Sequence, residues 1–133
     1  MTDIPDRPPS LDDLATLADK ALERMPALFR NHVLDVPIVV EDFPNESVQR
    51  DMALESPFDI LGLYQGVDLA AKSVMDAAED LTRIFLYRRP ILDYWCETEE
   101  SLSHVVAHVL IHEIGHHFGL SDDDMEAIEE GVR

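Results

Sequence analysis

The sequence predicts an α+β fold. Helical patterns of apolar residues occupy both ends of the chain, and three short runs rich in β-branched and aromatic residues lie between them. No internal repeat or low-complexity linker interrupts this order. The 133 residues suit one domain around one core. Residues 1–9 read as a flexible leader and residues 10–133 as a single domain.

Ser10 suits a helix cap, with Asp12 and Asp13 in the first turn where negative charge favours the helix dipole. Leu11, Leu14, Ala18, Ala21 and Met25 follow at helical spacing, and Pro26 interrupts or restarts a pattern that runs on to Asn31. Val36 to Glu41 reads as a first strand, "DFPNES" as a loop, and "SVQRDMALES" as room for a short helix. Asp59 to Tyr64 reads as a second strand that turns at Gln65-Gly66, with Gly62 marking a bulge or a close backbone approach. Residues 67–80 are ambiguous between helix and long loop. Leu81 to Tyr87 is a third strand, and Pro90 opens a turn or short helix through "ILDYW". Thr98 is the expected cap of the next helix, with Glu99 and Glu100 in its first turn. Leu102, Val105, Val106, Val109, Ile111 and Ile114 form its apolar face, and Gly119 is its natural stop. A last short helix spans about 123–130.

Composition narrows the function. Hydrophobic residues make up 46%, which is ordinary for a globular protein, while the formal net charge of −18 is extreme. Such a surface repels nucleic acid and anionic lipid, and it attracts cations and basic peptides. The single cysteine, Cys96, rules out an internal disulfide and is expected as a small buried residue. The acidic, Pro-rich start is not a secretory signal, and no apolar stretch spans a bilayer, so a cytoplasmic protein is the simplest expectation; a monomer is compatible with it.

The chemistry concentrates in "HEIGHHFGLSDDDM", residues 112–125. On a helix, His112 and His116 share one face with Cβ atoms about 6 Å apart, a spacing that two imidazoles gripping one ion require. Glu113 stands about 100° further around, poor for ligation with the pair but near enough to take a proton from water in an open coordination position. A catalytic zinc site needs a third protein ligand. Gly119 allows a sharp turn that brings Asp122 back toward the ion, which favours it over Asp123 and Asp124. A version without that turn would recruit a glutamate from a following helix, with Glu129 and Glu130 as candidates. By this composition H-E-x-x-H arises by chance roughly 0.02 times per chain of this length, and roughly 0.0001 times with the Gly and Asp added, so the string favours a metal site over a histidine-rich surface helix.

"HEIGHHFGLSDDD" resembles the small single-domain zincin-like metallopeptidases whose third ligand is an aspartate, and "PIVVEDFP", "ILGLYQG" and "RIFLYRRPIL" follow that family in the same order, over roughly 36–130. The resemblance implies a minimal zincin: a small mixed sheet of three to four strands, an N-terminal helix and the metal-binding helix. It implies one zinc ion on His112, His116 and Asp122, with Glu113 as base, and an edge strand beside the cleft that pairs with extended substrate, for which "ILGLY" is the candidate. Larger zincins carry a methionine turn well downstream of the third ligand; this sequence ends too soon for one, and Met125 is expected to pack in the last helix.

The remaining candidates weigh less. His104 and His108 continue the four-residue spacing backwards, but about 6 and 12 Å of helix rise separate the pair from His112, which argues against their joining its site. Hydrogen-bonded helix histidines are the expectation for both, with a second metal site as the rival. His117 is expected in a supporting or packing role, and His32 is uninformative. Tyr64, Tyr87 and Tyr94 are alternative oxyanion donors between which the sequence does not choose. Arg88 and Arg89 are expected to pair with local carboxylates rather than with a substrate. The function expected is a zinc-dependent metallohydrolase, a peptidase acting on a peptide or protein substrate. The alternative is a non-catalytic zinc-binding module or interaction domain derived from a zincin; a protease confined to one protein partner shares the first chemistry.

Overall fold

The computed structural model of the chain describes residues 7–31, 33–66 and 82–132. Helix α1 (Leu11–Arg24) starts at Ser10, whose hydroxyl accepts the Asp13 N–H while the Asp13 carboxylate accepts the Ser10 N–H. Those hydrogen bonds from the Ser10 backbone and side chain hold the Asp13 carboxyl below the ordinary carboxylate range. Leu14, Ala18 and Ala21 face the core, and after Met25-Pro26 the chain restarts as α2 (Ala27–Asn31), as the proline suggested.

Three strands form one mixed sheet in the order β1-β3-β2. Central β3 (Arg83–Tyr87) runs parallel to β1 (Ile38–Glu41), pairing Ile38 with Ile84 and Val40 with Leu86. It runs antiparallel to β2 (Gly62–Gln65), pairing Gly62 with Leu86 and Tyr64 with Ile84. The α+β expectation and the small mixed sheet therefore hold, with three strands rather than four among the described residues. β1 and β2 start later than the sequence suggested. For β2 the cause is Asp59, whose carboxylate accepts the N–H groups of Glu55 and Ser56 and ties it into the preceding turn. Helix α3 (Glu46–Asp51) begins inside the expected "DFPNES" loop because the Asn45 side chain caps it through the Val48 N–H.

Helix α4 (Arg88–Cys96) follows β3 directly, two residues ahead of Pro90. A proline in the first turn sacrifices no helical hydrogen bond. Arg88 reaches the Pro9 carbonyl at 2.6 Å and the Asp42 carboxylate at 3.0 Å, and Arg89 lies 5.4 Å from the Phe43 ring centroid. The expected pairing with a local carboxylate is thus seen for Arg88. Cys96 was expected to be buried, yet it is exposed, because it ends α4 on the side away from the core.

Helix α5 (Leu102–Phe118) is capped by Ser101, not by Thr98: the Ser101 hydroxyl accepts the His104 N–H. Thr98 instead donates to the Trp95 carbonyl and closes α4, so Glu99 and Glu100 stay in the connection. Val105, Val106, Leu110, Ile111 and Ile114 of α5 are buried against α1 and the sheet. Gly119 ends the helix in the left-handed conformation, φ 67° and ψ 34°, as expected. Helix α6 (Asp122–Val132) then folds back on α5, longer than the expected 123–130. The ambiguous segment 67–80, the start of the third strand at Leu81, the turn beyond Gly66 and His32 lie outside the described residues, as does the side chain of His117.

Candidate metal centre

The core residues of α5 turn its remaining face outward, and that face carries His108, His112, Glu113 and His116. Strand β2 crosses close above it. A Cβ on Gly62 would lie 2.8 Å from Val109 Cγ1, 2.9 Å from the Phe85 carbonyl oxygen and 3.3 Å from Glu113 Cγ. The glycine therefore marks a close backbone approach, one of the two readings its position allowed. The approach lets the Tyr64 backbone N–H donate to Glu113 Oε1 at 2.8 Å. The same oxygen lies 3.4 Å from His116 Nδ1.

His112 is partly buried, and its pKa is lowered by that burial first and by neighbouring His108 and His116, against the opposing pull of Glu129 and Asp122. The shift favours the neutral imidazole, the form that binds metal. The His116 side chain is 60% exposed, on the Glu113 side of His112. Asp122 stands exposed at the first position of α6, where the left-handed Gly119 delivers it. His112 and Asp122 line one cleft between α5 and α6, together with His108, Glu126, Glu129 and Glu130. His112 and Glu113 also line a groove along β2 with Gly62, Val109 and Tyr94.

His108 is a hydrogen-bonded helix histidine, as expected, and it also meets His112. Its ring centroid lies 4.3 Å from that of His112, and its Nδ1 lies 2.8 Å from each Glu129 carboxylate oxygen. Helix rise separates the two backbones by about 6 Å, but side chains four residues apart lean along one face and meet. His108, His112 and Glu129 each offer a ligand atom within 4.8 Å of the other two, a grouping that His116 and Asp122 do not join as they stand. His104 stands near two carboxylates, with Nε2 3.4 Å from Glu129 Oε1 and 3.5 Å from Glu100 Oε2. Glu129 entered the sequence reading only as an alternative ligand. The signal for its placement was Met125, four residues earlier, whose burial turns the same face of α6 toward α5.

Among the tyrosines, Tyr87 is buried, and its hydroxyl is pushed up to about 12 by burial, with Glu41 and Glu113 adding to the shift. Tyr94 is exposed on the groove wall, and Tyr64 is partly buried on β2. Imidazoles on one helical face, with carboxylates of a second helix across a cleft, match the donor chemistry of zinc-class ions. No helix among the described residues is long and apolar enough to cross a membrane.

No curated protein matches the chain. A family model described as zincin-like metallopeptidase matches residues 33–132, which takes in the sheet, Glu113, every histidine just described and the α6 carboxylates. The resemblance read from the order of "PIVVEDFP", "ILGLYQG", "RIFLYRRPIL" and "HEIGHHFGLSDDD" is thereby borne out, and the chain belongs to the zincin-like metallopeptidase family.

Proposed function

We propose that the protein is a zinc-dependent hydrolase of peptide bonds, with His112, His116 and Asp122 holding the metal and Glu113 acting as general base. The observation that carries this is the seating of Glu113. In a chain of this family, the carboxylate following His112 is fixed by the β2 backbone at 2.8 Å, at the foot of a groove that also contains His112. Bound zinc would supply a Lewis acid that polarises the scissile carbonyl and acidifies water. Glu113 takes the proton of the attacking water and returns it to the leaving amine. With Oε1 engaged by Tyr64, Oε2 is the oxygen that carries this proton. Strand β2, at one edge of the sheet among the described residues and alongside the groove, is suited to align an extended peptide by main-chain hydrogen bonds. Residues 10–133 act in this reading as one unit behind the leader 1–9.

A non-catalytic zinc module has one observation in its favour: the convergent set His108, His112 and Glu129, which lacks Glu113. Metal analysis of the purified protein, paired with hydrolysis of a panel of unstructured peptides, separates the two. The proposal expects one zinc per chain and cleavage that is lost with a chelator and restored by zinc. Stoichiometric zinc without cleavage of any peptide or protein offered leaves the module reading; a chain that stays empty after zinc loading removes both.

A further inference from the structure

We propose that His108, His112 and Glu129 form a second seat for a zinc-class cation, displaced along α5 toward its N-terminus from the seat assigned above. The inference rests on that assignment in one respect: His112 is common to both ligand sets.

The geometry comes first. Two imidazoles four residues apart and one carboxylate from a facing helix place a ligand atom each within 4.8 Å of the others. Four-coordinate zinc with bonds of about 2.0–2.2 Å needs donors roughly 3.3–3.6 Å apart, so modest side-chain rotation closes the set. Glu129 is already drawn in: its side chain is 12% exposed, and both its oxygens lie 2.8 Å from His108 Nδ1. His104, with Nε2 3.4 Å from Glu129 Oε1, steadies the same carboxylate. Two nitrogen donors out of three select zinc, cobalt or nickel over magnesium or calcium, which need mainly oxygen.

The two seats exclude each other. A neutral imidazole offers one lone pair, and its other nitrogen keeps a proton. His112 therefore serves one ion at a time, and a single cation is shared between two positions. In the first it has His116, Asp122 and the neighbouring Glu113; in the second it is held by Glu129 and the His108 ring, away from the 3.4 Å contact between His116 and Glu113. Metal content and catalytic competence become separate properties of the loaded chain.

The test is zinc binding by equilibrium dialysis with metal analysis, supported by the visible spectrum of the cobalt(II) form, on the full chain. The double variant His116→Ala/Asp122→Ala should still bind one zinc, at least tenfold more weakly than the parent. Adding Glu129→Gln or His108→Ala should loosen it at least tenfold again. A double variant that binds no more zinc than one also lacking His112 overturns the second seat and leaves the first intact. If the double variant binds as the parent does, and Glu129→Gln alone empties the parent, the second seat stands and the first ligand assignment falls. Anomalous scattering from zinc-loaded crystals of the parent gives a reading that no variant's folding can blur. Density between His108 and Glu129, at full or partial occupancy, supports the second seat. A lone peak between His116 and Asp122 overturns it.

Discussion

The backbone N–H of Tyr64 donates to Glu113 Oε1 at 2.8 Å, so the sheet edge and the H-E-x-x-H helix meet at the carboxylate assigned as base. Glutamine at position 113 preserves this bond through its carbonyl oxygen but accepts no proton at neutral pH. Glu113→Gln is expected to retain zinc and fold while losing roughly 100- to 10,000-fold in peptide turnover. Metal analysis, thermal melting and a rate measurement on the same preparation check it, and unchanged turnover would falsify the assignment.

Gly62 permits that meeting. Alanine there sets a methyl 2.8 Å from Val109 Cγ1 and 2.9 Å from the Phe85 carbonyl oxygen, the second of which is backbone and cannot step aside. Gly62→Ala is expected to destabilise by about 1–3 kcal/mol, readable as a lowered denaturant midpoint. Because the same methyl approaches Glu113 Cγ at 3.3 Å, turnover should fall further than the unfolded fraction explains.

Gly115 plays the matching part on the far side of α5. A Cβ at this position would collide with Met125 Sδ, so α6 seats its methionine directly on the helix backbone. Gly115→Ala and Met125→Ala are each expected to cost stability, about 1–3 kcal/mol for the first and about 2–5 kcal/mol for the second. In the double variant the two should cost less than their sum, since the new methyl enters the space the thioether leaves. A double-mutant cycle in urea measures that coupling.

Tyr87 gives the fold an alkaline limit. Its hydroxyl ionises at about 12 in the folded chain against an ordinary 10.0, so the unfolded chain loses this proton first. The stability it contributes is complete below pH 10 and is lost as pH climbs through 12, on the order of 2 kcal/mol. Tyr87→Phe should flatten the fall in stability over that window. Denaturation at stepped pH compares the two proteins, and an unchanged slope would count against the shift.

Much of this was legible in the sequence because it depends on local chemistry. The Ser10 cap, the restart after Pro26 and the left-handed Gly119 each follow from one residue's own hydrogen bonds or backbone preference. Gly62 was readable as a close approach, though not what it would approach. The failures are contests that sequence does not decide. Thr98 and Ser101 are both competent caps, and Thr98 went to the end of α4 because the Trp95 carbonyl lay within reach. Asp59 looked like the head of a strand until its carboxylate found two backbone N–H groups in the turn before it. His108 is hydrogen-bonded as expected, but its partner, Glu129 from a helix folded back across α5, and its approach to His112 depend on tertiary contact. The pair His112 and Glu113 was read from spacing; what holds Glu113 in place, an N–H donated from Tyr64, depends on tertiary contact and has no mark in the string.

The fit between Met125 and Gly115 also bears on oxidative damage. Methionine sulfoxide carries an extra oxygen and a polar group, and the buried thioether, 3% exposed against bare backbone, leaves room for neither. While α6 is docked the sulfur is shielded from peroxide. Once that helix peels away and the sulfur is oxidised, it cannot return to its seat, and Asp122, three residues upstream on the same helix, is carried off with it.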